Sequence, residues 1–154
     1  MQQKKYLLNL AGEFRVCAEL LKRGFFANVT MGNFKSVDIQ IVTEEKKAIL
    51  VEVKSTESNR FVTSFFQKYK TKETYHPDFW VLIKLSKEED RFFVLSHEEM
   101  AKVQSIRNMG DIEFDWDNNA SFASKGVDNV LLKHIEEYEN QWNKINNFKD
   151  LNEK

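Results

Sequence analysis

Two short apolar runs separated by five residues constrain the fold of this sequence more than any other feature. Residues 37–42 and 48–54 are rich in valine and isoleucine, which is typical of strands buried in a sheet. The segment between them is highly charged, as expected of a hairpin loop between adjacent antiparallel strands. The two runs therefore predict a pair of neighbouring strands in the interior of a sheet.

Three charged residues interrupt these runs. Asp38 lies in the first run, and Glu52 and Lys54 lie in the second. Because side chains alternate between the two faces of a strand, Glu52 and Lys54 point the same way, roughly 6–7 Å apart. Asp38 falls on the face opposite Val37, and the hairpin allows it to lie beside Glu52. Charges inside a sheet are costly unless they are paired or bind a metal ion, so this group is a candidate site.

The first helix supplies a third carboxylate. Apolar residues at intervals of three and four predict a helix over residues 9–24 that ends at a glycine cap. Its apolar face comprises Leu10, Phe14, Cys17, Leu20 and Leu21. Glu13 falls inside this face, whereas Glu19 lies on the opposite side among basic residues. A glutamate at a core position breaks the local pattern, and such breaks are expected at functional sites.

These four charged residues suit metal-dependent cleavage of a phosphodiester bond. Mg²⁺ prefers oxygen ligands and usually takes one or two protein carboxylates, here Asp38 and Glu52, and Mn²⁺ is its expected substitute. Lys54 would hold the attacking water and offset negative charge in the transition state. Glu13 would contact the metal through water or orient Lys54. The alternative is that Asp38 closes a turn and that Glu52 and Lys54 form an ion pair on a half-exposed strand.

The same residues resemble the PD-(D/E)XK nuclease superfamily, which includes restriction endonucleases and archaeal Holliday-junction resolvases. The resemblance runs through residues 12–14, 19–25, 37–39 and 51–55. It implies that the helix acid, the strand aspartate and the acid-x-Lys triplet form the catalytic set, here Glu13, Asp38, Glu52 and Lys54. Val37 stands where the name-giving proline would be, a change that many members share. Resolvase-like members often carry a glutamine on the helix after the triplet, which implies a place at the site for Gln67.

The resemblance also implies the fold, an α/β restriction-endonuclease-like domain of three layers with a mixed central sheet flanked by helices. Further elements are predicted at residues 79–85 and 91–95 as strands, at 97–107 as a helix, and at 26–31 as an extended segment. A capping box of Ser96 and Glu99 starts the helix, which makes His97 a surface residue of its first turn.

The C-terminal part completes one domain over residues 1–154, since no Pro-, Gly- or Ser-rich linker divides the chain. Residues 108–126 are polar and predict a long loop. An apolar stripe over residues 127–148 predicts a C-terminal helix. This helix would carry Trp142. In this feature the chain resembles a group of small prokaryotic members of the superfamily, which have a C-terminal helix with a late tryptophan.

Residues 60–72 form a basic and aromatic segment that contains no acid. Its basic residues are Arg60, Lys68, Lys70 and Lys72, and its aromatic residues are Phe61, Phe65, Phe66 and Tyr69. Because the formal net charge is −1, nucleic-acid binding requires local positive charge of this kind. In one interpretation the cations neutralise phosphates and an aromatic ring stacks on a base. In the alternative, which is compatible with the first, the aromatic residues cover the sheet and the lysines face water.

These features together predict a Mg²⁺-dependent nuclease that hydrolyses nucleic acid, with DNA as the expected substrate. The alternative is a module of the same fold without turnover, either a DNA-binding accessory or an immunity-type protein that regulates a partner. A homodimer is a possible assembly, because cleavage of both strands of a duplex often needs two active sites. No phosphate-binding glycine loop, paired Cys-x-x-Cys or serine nucleophile motif is present, which argues against P-loop hydrolysis, structural zinc and acyl transfer.

The expected compartment is the cytoplasm. Cys17 is the only cysteine and cannot form an internal disulfide. No segment reaches the roughly 20 apolar residues of a membrane span, and the first residues do not form a cleavable signal pattern. We therefore expect no membrane partner.

Overall fold

The computed structural model describes residues 2–30, 37–117 and 122–152, which form a mixed α/β arrangement. The first elements along the chain are α1 (Gln2–Lys22), β1 (Ala27–Val29), β2 (Ile39–Val42), β3 (Ala48–Thr56), β4 (Arg60–Val62) and α2 (Phe65–Lys68). They are followed by β5 (Phe79–Lys84), β6 (Arg91–Ser96), α3 (His97–Met109), β7 (Asn129–Leu131), α4 (Leu132–Ile135), a 3₁₀ turn (Glu136–Tyr138) and α5 (Asn143–Asn152). Of the extended segment predicted at 26–31, Met31 lies outside the described residues.

Five of the strands form one mixed sheet in the order β1-β2-β3-β5-β6. β3 and β5 run parallel, and the other neighbouring strands run antiparallel. The register pairs Ile39 with Val51 and Ile41 with Ile49, so the predicted hairpin is confirmed. β4 and β7 pair separately as a small antiparallel sheet. β3 therefore lies in the middle of the main sheet, where its charged residues have a neighbouring strand on each side.

The main sheet buries both of its faces. On one face Val81 packs in a cluster with Leu20 of α1. On the other face Trp80 packs in a second cluster with Phe65 of α2 and Met100 of α3. Helices thus pack on both faces of a mixed sheet, as predicted. The specific restriction-endonuclease-like layering stays a prediction.

Helix α1 uses a different face from the predicted one. Its buried residues are Gly12, Val16, Cys17 and Leu20. Phe14 and Leu21, which were predicted to be buried, are 54% and 50% exposed. The helix carries one buried and one exposed apolar stripe, but the sequence pattern suggests a single broad face. The prediction for Phe14 and Leu21 is therefore wrong, while the burial of Cys17 and Leu20 is confirmed.

The continuous helix predicted over residues 127–148 is also wrong. Residues 129–131 form β7, which pairs with β4, and α4 begins only after this strand. Asn140 has a positive φ of 56°, a conformation that interrupts a helix before α5 starts. The stripe residues Ile135, Trp142 and Ile145 are nevertheless buried. Their apolar character was informative, but their spacing arises from several short elements.

The capping box at the start of α3 is confirmed, but the surface position of His97 is wrong. The Ser96 hydroxyl accepts a hydrogen bond from the Glu99 N–H at 3.1 Å, and the Glu99 carboxylate accepts one from the Ser96 N–H at 2.8 Å. His97 is 6% exposed, and its Nδ1 accepts a hydrogen bond from the Trp80 indole N–H at 3.1 Å. Burial, and then the neighbouring charge of His76, lower the pKa of His97 to about 3. The imidazole is a neutral member of the core.

In the described part of the chain, no helix combines the length and the apolar character that are needed to cross a bilayer.

Candidate functional site

Asp38 is held at the point where β2 begins to pair with β3. Its backbone N–H donates to the Val51 carbonyl at 3.0 Å, and its Oδ2 accepts a hydrogen bond from the Val53 N–H at 2.8 Å. The Asp38 carbonyl also accepts a hydrogen bond from the Thr30 N–H at 2.9 Å. These bonds attach Asp38 to the centre of β3 and fix one of its two carboxylate oxygens.

Glu52 and Lys54 share one face of β3, as the alternation predicts. The Lys54 Nζ and the Glu52 Oε1 lie 3.3 Å apart. The Glu52 side chain is only 6% exposed and that of Lys54 is 22% exposed. Glu52 is therefore buried and Lys54 half-buried, which contradicts the alternative of a surface ion pair on a half-exposed strand.

Glu13 reaches this group because α1 packs very closely on β3. A Cβ atom added to Gly12 would lie only 1.7 Å from the Ser55 Oγ. Only a residue without a side chain fits this contact, so Gly12 sets both the distance and the rotation of α1 over β3. Glu13 then comes within hydrogen-bonding reach of the Asp38 carboxyl group. The structure thus brings together the four residues that the sequence identified.

The three carboxyl groups hold their protons more tightly than usual. The pKa of Asp38 is raised to about 6, mainly by burial and to a smaller extent by the nearby charge of Glu13. The hydrogen bond from the Val53 N–H and the charge of Lys54 act in the opposite direction. Burial and then the charge of Asp38 raise the pKa of Glu52. Burial also raises the pKa of Glu13, with a further contribution from the charge of Glu52. Removal from water, more than repulsion between the acids, therefore opposes the charged forms of these three groups.

A second lysine, Lys68 of α2, lies beside Lys54. Partial desolvation, and then the charge of Lys54, lower the pKa of Lys68, while the charges of Glu52 and Asp38 act in the opposite direction. Phe65, one helical turn earlier, packs on Trp80 at 5.6 Å between ring centroids, and Trp80 pairs with Glu52 across the sheet. Because residues three apart lie on the same side of a helix, Lys68 is directed towards β3 together with Phe65. The sequence pattern indicated phosphate binding for Lys68 and gave no sign of this proximity.

Asp128 fixes the position of α2, a role for which the sequence pattern gives no signal. Asp128 is fully buried, and its Oδ2 accepts a hydrogen bond from the Phe66 N–H at 2.8 Å. Its carbonyl accepts hydrogen bonds from the Thr63 and Ser64 N–H groups. Burial acts to raise the pKa of Asp128, but the hydrogen bonds from Ser124 and Phe66 outweigh it and the pKa is lowered. Asp128 is thus a charged anchor that connects α2 with the segment before β7.

Gln67 is used by the same anchor. Its Oε1 accepts a hydrogen bond from the Asp128 N–H at 3.0 Å, and its Nε2 donates to the Gly126 carbonyl at 3.2 Å. Both ends of the amide therefore bind backbone groups of residues 126–128. The structure does not bring the Gln67 amide to the carboxylates, because α2 turns it towards the Asp128 segment.

The other predicted cations, like Lys68, lie on the surface. Arg60 starts β4, opposite Leu131 of β7, and Lys70 and Lys72 follow α2. All three are exposed, and in the described residues they form no ion pair with the carboxylates. The aromatic residues of the same segment, Phe61, Phe65, Phe66 and Tyr69, are buried. The interpretation that these aromatic residues cover the sheet is therefore confirmed.

The carboxylates suit a hard divalent cation that keeps most of its water. Within residues 2–30, 37–117 and 122–152, no three His, Cys, Asp or Glu side chains already form a closed metal-binding group. Mg²⁺ needs only one or two protein carboxylates, since water and substrate phosphate complete its shell. Asp38 and Glu52 offer that number, and burial is the main reason that the pKa values of both groups are raised.

The overall arrangement is similar to that of a known nuclease. A bacterial homing endonuclease, I-Ssp6803I, superposes with a TM-score of 0.60, covering 96% of this chain and 96% of the other, at 15% sequence identity. No protein-family model matches the chain, and no curated protein matches it. At this identity the likeness concerns the fold, and the chain therefore has a fold that is also found in a homing endonuclease.

Proposed function

We propose that this protein is a Mg²⁺-dependent nuclease of the PD-(D/E)XK superfamily that hydrolyses phosphodiester bonds in DNA. The observation that carries the proposal is the convergence of Glu13, Asp38 and Glu52 around Lys54. Two acids and a lysine in the sheet, with a third acid of α1 beside them, are costly for folding unless they bind a ligand or perform chemistry. The homing-endonuclease fold supports DNA as the substrate class.

Each residue has a role that follows from its position. Asp38 and Glu52 would hold Mg²⁺, which supplies polarisation of the phosphoryl group and a water molecule of lowered pKa. Lys54 is fixed by Glu52 and would orient the attacking water and offset charge in the transition state. Glu13 would bind an outer water and position the free oxygen of Asp38. Lys68 would neutralise a phosphate next to the scissile one.

The exposed cations extend this path away from the carboxylates. Lys70 and Lys72 follow Lys68 directly along the chain, and Arg60 lies at the start of the preceding strand. With a formal net charge of −1, the protein depends on such local charge to hold a polyanion. We expect cleavage to weaken as salt is raised.

The decisive experiment is plasmid cleavage with Mg²⁺ or Mn²⁺, comparing wild type with Asp38→Asn and Lys54→Ala. Asp78→Asn is the matched control, because its Oδ2 accepts a hydrogen bond from the Leu50 N–H at 2.8 Å on the other side of β3. We expect losses of about 100-fold or more in the two site variants, on the scale of removing a transition-state contact, and near wild-type cleavage in the control.

Other outcomes are equally informative. Cleavage that survives both site substitutions would identify a contaminating nuclease. A wild-type protein that binds DNA but cleaves nothing with either metal ion would refute the nuclease and support the alternative, a non-catalytic DNA-binding or partner-regulating module.

A further inference from the structure

Helix α1 carries a second apolar stripe on the side facing away from the sheet. Leu7, Phe14 and Leu21 are 57%, 54% and 50% exposed and follow each other at intervals of seven residues. Ala11 and Ala18 lie between them. At about 100° per residue these five positions fall within one narrow sector, opposite the buried Val16. The spacing is that of a helix-pairing seam.

The stripe is large enough to require an explanation. Tyr6, beside it on the helix, is 62% exposed, and Phe26, shortly after the helix ends, is 73% exposed. The exposed parts of Tyr6, Leu7, Phe14 and Leu21 amount to an area on the order of 450 Å², which is in the range of patches that are often functional. Single exposed apolar residues are ordinary, but an aligned row is not.

We propose that this stripe is the interface of a homodimer, in which α1 packs antiparallel against α1 of a second copy of the chain. A two-fold interface must be complementary to itself. The stripe alternates large and small residues and reads Leu-Ala-Phe-Ala-Leu in both directions. With the two-fold axis at Phe14, Leu7 of one copy meets Leu21 of the other, and the alanines leave room for the large side chains.

The area agrees with this occupant. A standard interface buries about 800 Å² on each partner, of which roughly 55–65% is apolar. The exposed area of the stripe together with Tyr6 is therefore close to the apolar area that one side of a dimer contributes. The remaining area would come from flanking residues such as Lys4 and Lys22, which lie together on one edge of the stripe and have apolar stems and polar heads.

These flanking charges predict an unusual salt dependence. In the antiparallel pair, Lys4 of one copy approaches Lys22 of the other, although Lys4 already has Glu57 within 3.8 Å. Salt screens this repulsion and does not weaken apolar contacts. The dimer is therefore expected to become stronger as salt is raised, which is opposite to the expected effect on DNA cleavage.

The pairing also orients the two candidate sites. The two-fold axis is perpendicular to the plane of the paired helices, so equivalent side chains emerge on the same side of that plane. Both Glu13 residues, and with them both carboxylate groups, would therefore face the same way. If the proposed function holds, this arrangement presents two active sites to one duplex.

The first test is the mass in solution, measured by analytical ultracentrifugation without DNA or metal. We expect wild type to approach twice the 18.2 kDa of the chain as concentration rises, and Phe14→Glu to remain a monomer with unchanged circular dichroism. Tyr75→Glu is the matched control, because Tyr75 is 58% exposed but lies outside α1, and it should dimerise like wild type. A wild type that stays monomeric up to its solubility limit overturns the proposal, as does an equally dimeric Phe14→Glu.

A disulfide test fixes the direction of the helices, with Cys17 replaced by alanine throughout. Phe14→Cys lies on the axis and should form a linked dimer under mild oxidation. Leu7→Cys alone should not link, but should do so when mixed with Leu21→Cys. Self-linking of Leu7→Cys would indicate parallel helices and overturn the antiparallel interface.

Failure of the interface and failure of the nuclease are separable. A monomer that cleaves DNA in an Asp38-dependent manner overturns the interface only. A dimer through Phe14 that cleaves nothing overturns the proposed function and retains the interface.

Discussion

Asp38→Asn should stabilise the metal-free protein at neutral pH while abolishing cleavage. Asparagine retains an oxygen that can accept the hydrogen bond from the Val53 N–H, so the connection to β3 is preserved. What the substitution removes is a carboxylate whose ionisation the folded protein resists. A residue of the candidate site that costs stability in this way is expected where function opposes folding.

The magnitude follows from the pKa of Asp38, which is raised from the ordinary 3.8 to about 6 mainly by burial. This difference corresponds to about 3 kcal/mol of the free energy of unfolding. Because the folded state binds the proton more tightly, wild-type stability falls as pH rises from about 4 through about 6 and is then constant with respect to this group. Asp38→Asn has no ionisable group at this position and does not lose this stability. Its free energy of unfolding should therefore equal that of wild type at pH 4 and exceed it by about 3 kcal/mol at pH 7.5.

Urea unfolding at the two pH values measures the difference directly. Asp115→Asn is a suitable control, since its carboxylate also accepts a backbone N–H, from Asp117 at 3.0 Å, but is exposed. Added Mg²⁺ should stabilise wild type by binding its native state and should stabilise Asp38→Asn much less. The reasoning is refuted if Asp38→Asn is destabilised at pH 7.5, or if its advantage is the same at both pH values.

Three further substitutions test the supports of the site. Gly12→Ala should destabilise the fold by about 1–3 kcal/mol by overpacking, with partial rescue by Ser55→Gly, as measured by thermal unfolding. Asp128→Ala leaves the buried Phe66 N–H without its acceptor and should cost about 1–3 kcal/mol or more, together with increased amide exchange in α2. Lys68→Gln should reduce cleavage and its salt dependence while leaving calorimetric Mg²⁺ affinity near wild type. Equal losses of both would assign Lys68 a structural role instead.

The sequence was sufficient for the centre of the site because the relevant signals are local. Asp38, Glu52 and Lys54 interrupt two apolar runs joined by a short loop, and a hairpin has one simple geometry. Glu13 was found because it interrupts an apolar stripe. In each case a charged residue in an apolar pattern indicated a member of the candidate site, and the pattern itself indicated the strand or helix.

Lys68 and Gln67 show where local signals end. Both belong to a four-residue helix whose orientation depends on Asp128, about sixty positions further along the chain. The sequence placed the amide at the site, whereas the structure turns the amide away and brings Lys68, which is still exposed, towards β3. No periodicity within residues 60–72 contains that information. The C-terminal stripe failed for a related reason, since β7 exists only because β4 is available to pair with it.

Three consecutive residues of α1 have three different surroundings, and this links the site to the proposed interface. Gly12 contacts Ser55, Glu13 approaches Asp38, and Phe14 faces away from the core. Successive residues are about 100° apart on a helix, so any rotation that relieved one contact would displace the other two. Glycine costs about 1 kcal/mol relative to alanine in a helix interior. That cost is offset here because the close contact at Gly12 fixes the single rotation at which Glu13 meets Asp38 and the apolar stripe remains available to a second copy.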